Sequence, residues 1–265
     1  MDYQASSCRL PGRAAVNDCS HIYSDGTNVS GLFSGKGDKF RVMDILAITA
    51  MEADVRILTA EIMTTHFHAI VSGRARDRQS FTVSVKRKLL NWISRNGLIH
   101  CVSGALRLSN DPIQDEDELK SKIMYVYRNS VCAGIRLVPW EYEGGAGNIY
   151  FIDHEKEGLR GEAVRELTSS MRRRMFHTLR VLPGDWRFDA LEGRLLPHSY
   201  MDWRRVESLF KTPRAFLAFL AQKKDLEVKY DVECAEARIL NTSESELRVE
   251  IRDKCKALFG LSRVS

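Results

Sequence analysis

Two histidines separated by one residue, His66 and His68, lie inside an apolar and β-branched run that ends at Ser72-Gly73. Such a run predicts a strand, and because side chains alternate along a strand, both imidazoles should point to one face. At that spacing two imidazoles can bind one divalent cation. The alternative is a pair of core histidines, each with a hydrogen-bond partner that compensates for burial. The spacing alone leaves both interpretations open, and further ligands must come from elsewhere in the chain.

The size and composition of the chain indicate a globular protein. Of its 265 residues, 44% are hydrophobic, which is enough to furnish a core. No run of 18 apolar residues occurs, and the N-terminus lacks a basic start followed by an apolar block. We therefore expect no membrane span and no signal peptide, and a cytoplasmic location. The six cysteines are scattered without a CxxC pair, which favours reduced thiols over a disulfide framework or a zinc finger.

A cluster of basic residues follows the histidine run. Between positions 74 and 88 there are six basic residues and a single acid, the basic ones being Arg74, Arg76, Arg78, Lys86, Arg87 and Lys88. A phosphate backbone that binds near the histidine pair would explain this clustering. The alternative is an ordinary solvated helix face.

The pattern of apolar residues predicts secondary structure in the order βαββαβα. The predicted elements are a strand at 21–24, a helix at 38–51, a strand at 55–63, the histidine strand, a helix at 80–96, weaker strands at 98–102 and 105–113, and a helix at 115–132. Only two residues, Thr64 and Thr65, separate the second strand from the histidine strand, which suggests an antiparallel pair. This order predicts an α+β fold, with helices packed on an antiparallel sheet, that ends near residue 150.

The remainder of the chain reads as a separate region. Residues 144–147 are a glycine-rich candidate linker, and residues 151–265 are predicted to be mainly helical, with helices at 157–182, 202–224 and 243–259. No constellation of chemically active residues is apparent there, so its role is unassigned. We expect this region to be dispensable for any chemistry at the histidine pair.

The helix predicted at 115–132 carries two tyrosines in different environments. At 100° per residue, Tyr125 falls in the middle of the polar face with Asn129 one turn beyond it. Tyr127 falls on the opposite side, among the apolar residues. The sequence therefore predicts that Tyr127 is a core residue and that Tyr125 is available for chemistry.

Taken together, the histidine strand and the tyrosine helix resemble the HUH-type single-strand transposases, specifically the REP-associated tyrosine transposase group. The histidine strand of that group reads Met-Pro-Asn-His-x-His, and residues 63–68 read Met-Thr-Thr-His-Phe-His. Its tyrosine helix reads Tyr-Ile-x-x-Asn-Pro-Val-x-Ala-Gly, and residues 125–134 read Tyr-Val-Tyr-Arg-Asn-Ser-Val-Cys-Ala-Gly. The Pro-Asn before the first histidine and the Pro after the asparagine are missing. The resemblance covers roughly residues 21–140.

The resemblance implies a fold and a chemistry. It implies that residues 1–150 are an HUH catalytic domain with a ferredoxin-like sandwich, and that Tyr125 is the nucleophile of a 5′-phosphotyrosine intermediate. It implies further that His66, His68 and Asn129 bind Mg²⁺ or Mn²⁺, and that the substrate is single-stranded DNA with a hairpin. The protein would act as a monomer or homodimer.

Three other functions are alternatives to this one. A metallohydrolase of the His-x-His-x-Asp-His type is disfavoured because positions 70 and 71 are Ile and Val. A replication initiator or relaxase uses a similar site, but the Walker loop of an associated helicase is absent from the sequence. A domesticated hairpin-binding protein that has lost catalysis is the non-enzymatic alternative.

Overall fold

The computed structural model describes residues 16–26 and 29–221, so the helix predicted at 243–259 lies outside the described residues. The first eight strands and α-helices are β1 (Cys19–Ser24), α1 (Lys36–Glu52), β2 (Arg56–Ile62), β3 (Phe67–Ser72), α2 (Ala75–Arg95), β4 (Leu108–Pro112), α3 (Glu116–Tyr127) and α4 (Asn129–Cys132). The predicted order of strands and helices through α3 is confirmed.

A four-stranded antiparallel sheet in the order β2-β3-β1-β4 forms the centre of the fold. The predicted antiparallel pairing of β2 with the histidine strand is confirmed. β4 lies at an edge of the sheet, as expected for a strand that ends in Pro112, because proline cannot donate a ladder hydrogen bond.

The register assigns residues to the two faces of the sheet. Tyr23 and Glu61 both lie directly opposite His68 on neighbouring strands, so the three side chains share a face. The helix α3 packs on β2 and β3 at this face. Asn110 points to the other face, where its amide donates to the hydroxyl of Thr82 in α2 at 3.1 Å. The sheet is therefore covered by α3 on one side and by α2 on the other.

The predicted start of α2 and the type of the element after it are wrong. The helix begins at Ala75, not near Ser80. The predicted start was too late because the first turn is polar and the apolar periodicity begins only at Phe81. The weak strand predicted at 98–102 is a 3-10 helix, Leu98–Cys101. Gly97, in the left-handed region at φ 68°, turns the chain before these residues can extend.

Residues 151–221 are less helical than predicted. They form α5 (His154–Glu157), β5 (Glu162–Ala163), α6 (Ser169–Phe176), β6 (Arg187–Asp189), β7 (Arg194–Leu195), α7 (Pro197–Tyr200), α8 (Trp203–Phe210) and α9 (Pro213–Ala221). Within the range of the helix predicted at 157–182, α6 forms but β5 is extended. β5 joins β6 and β7, which lie beyond that range, in an antiparallel sheet of order β5-β6-β7. Gly161 interrupts that segment with φ 72°, and a side chain there would overlap the carbonyl oxygen of Phe188. The helix predicted from residue 202 is divided into α8 and α9 at Lys211.

The segment 151–221 packs into the same compact unit as the sheet, a unit that extends to Ala221. Phe210 and Phe216 belong to the main core, and the hydroxyl of Tyr150 donates to the carbonyl of Leu58 in β2. A second apolar cluster joins Ile48 of α1 to residues of the segment. This explains why α1 is buried on nearly every side. The predicted boundary between two regions at residue 150 therefore does not coincide with a boundary in the packing. It stays a prediction about which residues carry the function.

Within the two described stretches, every helix is too short or too polar to cross a membrane.

Candidate functional site

The structure brings the two predicted histidines together where β3 begins. His68 lies within the strand, whereas His66 lies in the turn that joins β2 to β3, closed by a 2.8 Å hydrogen bond from the Met63 N–H to the His66 carbonyl. The ring centroids of the two histidines are 4.9 Å apart. In the His66 ring, Nδ1 hydrogen-bonds the hydroxyl of Thr65 at 2.9 Å. The pair therefore forms one cluster, although only His68 is a strand residue.

A third histidine, His21 on β1, completes the cluster and was not predicted. Its Nε2 lies 3.0 Å from Nδ1 of His68 in a buried hydrogen bond, and the two rings stack with centroids 5.1 Å apart. Its register partner is Ile70, which makes it a diagonal neighbour of His68. The available signal was the alternation of His21 and Tyr23 with buried Ile22, which places two polar rings on one face of a strand.

Tyr125 lies over this cluster. Its ring meets the rings of His68 and His21 edge-on, with centroids 5.3 and 6.0 Å away, and its side chain is half-buried. Tyr127, two residues later, is buried, and its hydroxyl donates to the carbonyl of Gly147 at 2.9 Å. The prediction that Tyr127 is a core residue is confirmed. Of the two tyrosines, Tyr125 is the one that faces the histidines.

The helix that carries Tyr125 does not run through to Cys132 as predicted. It ends at Tyr127, Arg128 leaves helical geometry at φ −116° and ψ 17°, and α4 starts at Asn129. Arg128 is buried, and its guanidinium donates to the Leu220 carbonyl. The helical-wheel angle between Tyr125 and Asn129 therefore does not apply.

The backbone next to Asn129 is tied to the central sheet. The N–H of the next residue, Ser130, donates to the carboxyl oxygen Oε1 of Glu61, which lies directly across from His68 in the sheet. The Nδ2 atom of Asn129 is buried and has no hydrogen-bond partner among the described residues. Because an amide can turn its oxygen or its nitrogen to the same position, this side chain can offer a ligand atom there.

Burial keeps His21 and His68 neutral. It lowers the pKa of His21 to about 3, with a smaller contribution from the charge of Lys122. Burial also lowers the pKa of His68 well below its usual value, helped by His21, His66 and Lys122. A neutral imidazole is the form that binds a metal ion. In the described stretches, no three His, Cys, Asp or Glu side chains form a cluster that could hold a metal ion.

Glu61 is a second residue that the sequence did not indicate, and burial raises its pKa to about 8. The folded chain thus keeps the Glu61 proton over a pH range in which the unfolded chain, with a pKa near 4.5, has lost it. We expect the free energy of unfolding to fall as the pH rises from about 6.5 to 8, because below about 6.5 the lowered pKa values of His21 and His68 act in the opposite direction. Glu61→Gln keeps the acceptor for Ser130 and should flatten this slope, as measured by denaturant unfolding at pH 7, 7.5 and 8.

The slope should not vanish entirely, because burial also raises the pKa of Asp44, to about 7, and that residue contributes in the same direction. Glu192→Gln is the matched control, since Glu192 is exposed and paired with Lys36. An equal slope in Glu61→Gln and the unaltered chain would contradict the assignment of a neutral Glu61.

The structure does not bring the six predicted DNA-binding residues to this site. All six lie at or within α2, on the face of the sheet opposite Tyr125. Arg78 is a correction, because its guanidinium is buried and donates to the carbonyls of Asn17 and Gly73. The other five are Arg74, Arg76, Lys86, Arg87 and Lys88. Several of these form ion pairs, such as Lys88 with Glu52 at 2.8 Å.

No protein-family model matches this chain, and no curated protein matches it either. Among the solved structures, it is similar to a REP-associated tyrosine transposase bound to a REP hairpin. The two are 14% identical, the match covers 52% of this chain and 82% of that chain, and the TM-score is 0.39. A similarity at this level does not establish a family.

Proposed function

We propose that this protein is a metal-dependent tyrosine transposase of the HUH type, which nicks and rejoins single-stranded DNA that forms a hairpin. The observation that carries the proposal is the position of Tyr125, whose ring meets His68 and His21 over the histidine cluster. The histidine motif at 63–68 and the tyrosine motif at 125–134, which carry the resemblance to the HUH transposases, both contribute residues to this cluster. The element order β1-α1-β2-β3-α2-β4, with the strand order 2-3-1-4, supports the proposed ferredoxin-like arrangement.

Tyr125 is the proposed nucleophile. Its Oη forms a bond to the phosphorus of the scissile phosphate while the bond from phosphorus to O3′ breaks, and the proton that tyrosine gives up ends on the leaving 3′ hydroxyl. The product is a 5′-phosphotyrosine, and attack by the 3′ hydroxyl of another strand reverses the step. Because one phosphodiester is exchanged for another, strands can be cut and rejoined without a nucleotide cofactor.

The side chains fit the proposed Mg²⁺ or Mn²⁺ ion. Both His66 and His68 use Nδ1 in hydrogen bonds, so each would coordinate through Nε2. Asn129, whose buried Nδ2 has no hydrogen-bond partner among the described residues, would be the third ligand. Bound there, the ion would act as a Lewis acid toward the scissile phosphate. Lys122, whose charge lowers the pKa of both His21 and His68, adds positive potential at the same face.

The basic residues of α2 would contribute in a different way. Because they lie on the opposite face of the sheet, they would contact the backbone of the DNA outside the cleavage point. Arg74, Arg76, Lys86, Arg87 and Lys88 remain in this proposal, and Arg78 does not.

The direct test is the formation of a covalent protein–DNA adduct. A pool of labelled hairpin-forming single strands is incubated with the full chain, and the adduct is resolved on a denaturing gel. We expect an adduct in Mg²⁺ or Mn²⁺ that is lost in chelator and restored by the ion. His68→Ala should reduce its rate at least about tenfold, because one ligand is removed. His100→Ala is the matched control, since His100 is exposed on a separate 3-10 turn.

Two outcomes would contradict the proposal. Full adduct formation in chelator would remove the metal ion from the mechanism. Hairpin binding without any adduct would indicate the non-enzymatic alternative, a hairpin-binding protein.

A further inference from the structure

We propose that His21 is a positioning residue for His68, and that it holds the His68 ring in the one tautomer that can bind a cation through Nε2. This inference rests on the proposed function, since it concerns the same metal site. His21 itself is not a proposed ligand, because its Nε2 faces Nδ1 of His68.

The geometry leaves the His68 ring little freedom. His21 is 1% exposed and His68 is 5% exposed, and their ring nitrogens are 3.0 Å apart. The rings of His66 and Tyr125 meet His68 edge-on from two other directions. Tyr23 packs against both His21 and His68, and its hydroxyl donates to Asp111 at 3.0 Å. The hydrogen bond to His21 therefore sets which edge of the His68 ring faces the site.

The hydrogen bond also determines where the proton resides. A neutral imidazole has one N–H and one lone pair, so the contact between His21 and His68 has two possible directions. If His68 Nδ1–H donates to His21 Nε2, then Nε2 of His68 carries a lone pair and can bind a cation. If His21 Nε2–H donates instead, Nε2 of His68 carries the proton and cannot.

Binding of a cation to Nε2 of His68 therefore requires His21 to be the acceptor. His21 must then carry its own proton on Nδ1, a buried atom with no hydrogen-bond partner among the described residues. The two tautomers of the pair are thus linked, and occupancy of the metal site selects one of them. An outer residue of this kind orients the ligand ring and raises its basicity, and its loss typically weakens metal binding 10- to 100-fold.

Two variants of His21 separate this role from simple packing. His21→Leu fills a similar volume but cannot accept a hydrogen bond, so we expect Mn²⁺ binding to weaken by about 10- to 100-fold. His21→Gln can place a carbonyl oxygen near the position of Nε2, so it should recover much of the loss. Tyr23→Phe is the matched control, because it keeps the ring cluster and leaves the His21–His68 hydrogen bond intact. Mn²⁺ affinity of the full chain is measured by electron paramagnetic resonance, and folding by thermal unfolding.

The tautomer is read directly in the unaltered chain. Long-range ¹H–¹⁵N correlation spectra in saturating Mg²⁺ should show His68 protonated at Nδ1 and unprotonated at Nε2, with His68→Gln identifying its signals. This measurement applies even if His21→Leu does not fold. Protonation of His68 at Nε2 in the Mg²⁺-bound chain would overturn the inference.

The inference and the proposed function fail in different ways. If Mn²⁺ binding depends on His68 but is the same in folded His21→Leu as in the unaltered chain, the role of His21 is wrong and the metal site stands. If Mn²⁺ binding is absent or is unchanged in His68→Ala, the metal site itself is wrong, and the role of His21 falls with it.

Discussion

Tyr125→Phe is expected to eliminate the covalent protein–DNA adduct and strand transfer, with a decrease of at least roughly a thousandfold, because it removes the attacking oxygen. The substitution leaves the aromatic ring that packs against His68 and His21. Tyr125 is half-buried, and loss of one hydroxyl should change stability by on the order of 1 kcal/mol at most. The measurement is a denaturing gel with labelled single-stranded DNA, followed by mass spectrometry of the digested adduct.

Tyr127→Phe is the matched control from the same helix. Its hydroxyl donates to the buried carbonyl of Gly147, so its loss should lower stability by on the order of 1 kcal/mol and leave the adduct intact. Its ring packs against Tyr150 and Phe216, away from the histidine cluster. An adduct mapped to Tyr127, or one that persists in Tyr125→Phe, would show that the site has been assigned to the wrong tyrosine.

A chain that ends at Gly145 is expected not to fold cooperatively, whereas a chain that ends at Ala221 should fold. The shorter chain lacks Tyr150, Val206, Phe210 and Phe216, all of which are buried in the core that contains the sheet. Each large apolar side chain contributes about 1.5–3 kcal/mol when buried, so the combined loss is comparable with the whole stability of a typical domain, about 5–15 kcal/mol. Circular dichroism during heating distinguishes the two chains.

This expectation replaces the one drawn from the sequence, in which residues beyond 150 were dispensable for chemistry. α1 would also lose the cover that the segment provides over Ile48, and Asp44 would lose the N–H of Leu195 that donates to it. The chain that ends at Ala221 retains every proposed site residue and should form the adduct. A cooperative unfolding transition in the chain that ends at Gly145 would contradict this account of the core.

Local sequence patterns were sufficient for several features of the molecule. The apolar periodicity predicted the order of strands and helices through α3, the pairing of β2 with β3, and the burial of Tyr127. These features depend on alternation and helical spacing, which are properties of neighbouring residues. The histidine pair and Tyr125 were identified for the same reason, since each lies within a short motif.

Other features depend on residues that are distant in sequence, and only the tertiary structure decided them. His21 on β1 forms a hydrogen bond with His68 on the neighbouring strand β3. Glu61 accepts a hydrogen bond from the N–H of Ser130 at the break between α3 and α4. At that break the buried Arg128 donates to the Leu220 carbonyl, and the buried Arg78 donates to two backbone carbonyls. In each of these cases a polar group is buried, and the partner that compensates for its lost hydration is supplied by packing. Local spacing therefore determined which residues could form the site, whereas long-range pairing determined how those residues are held.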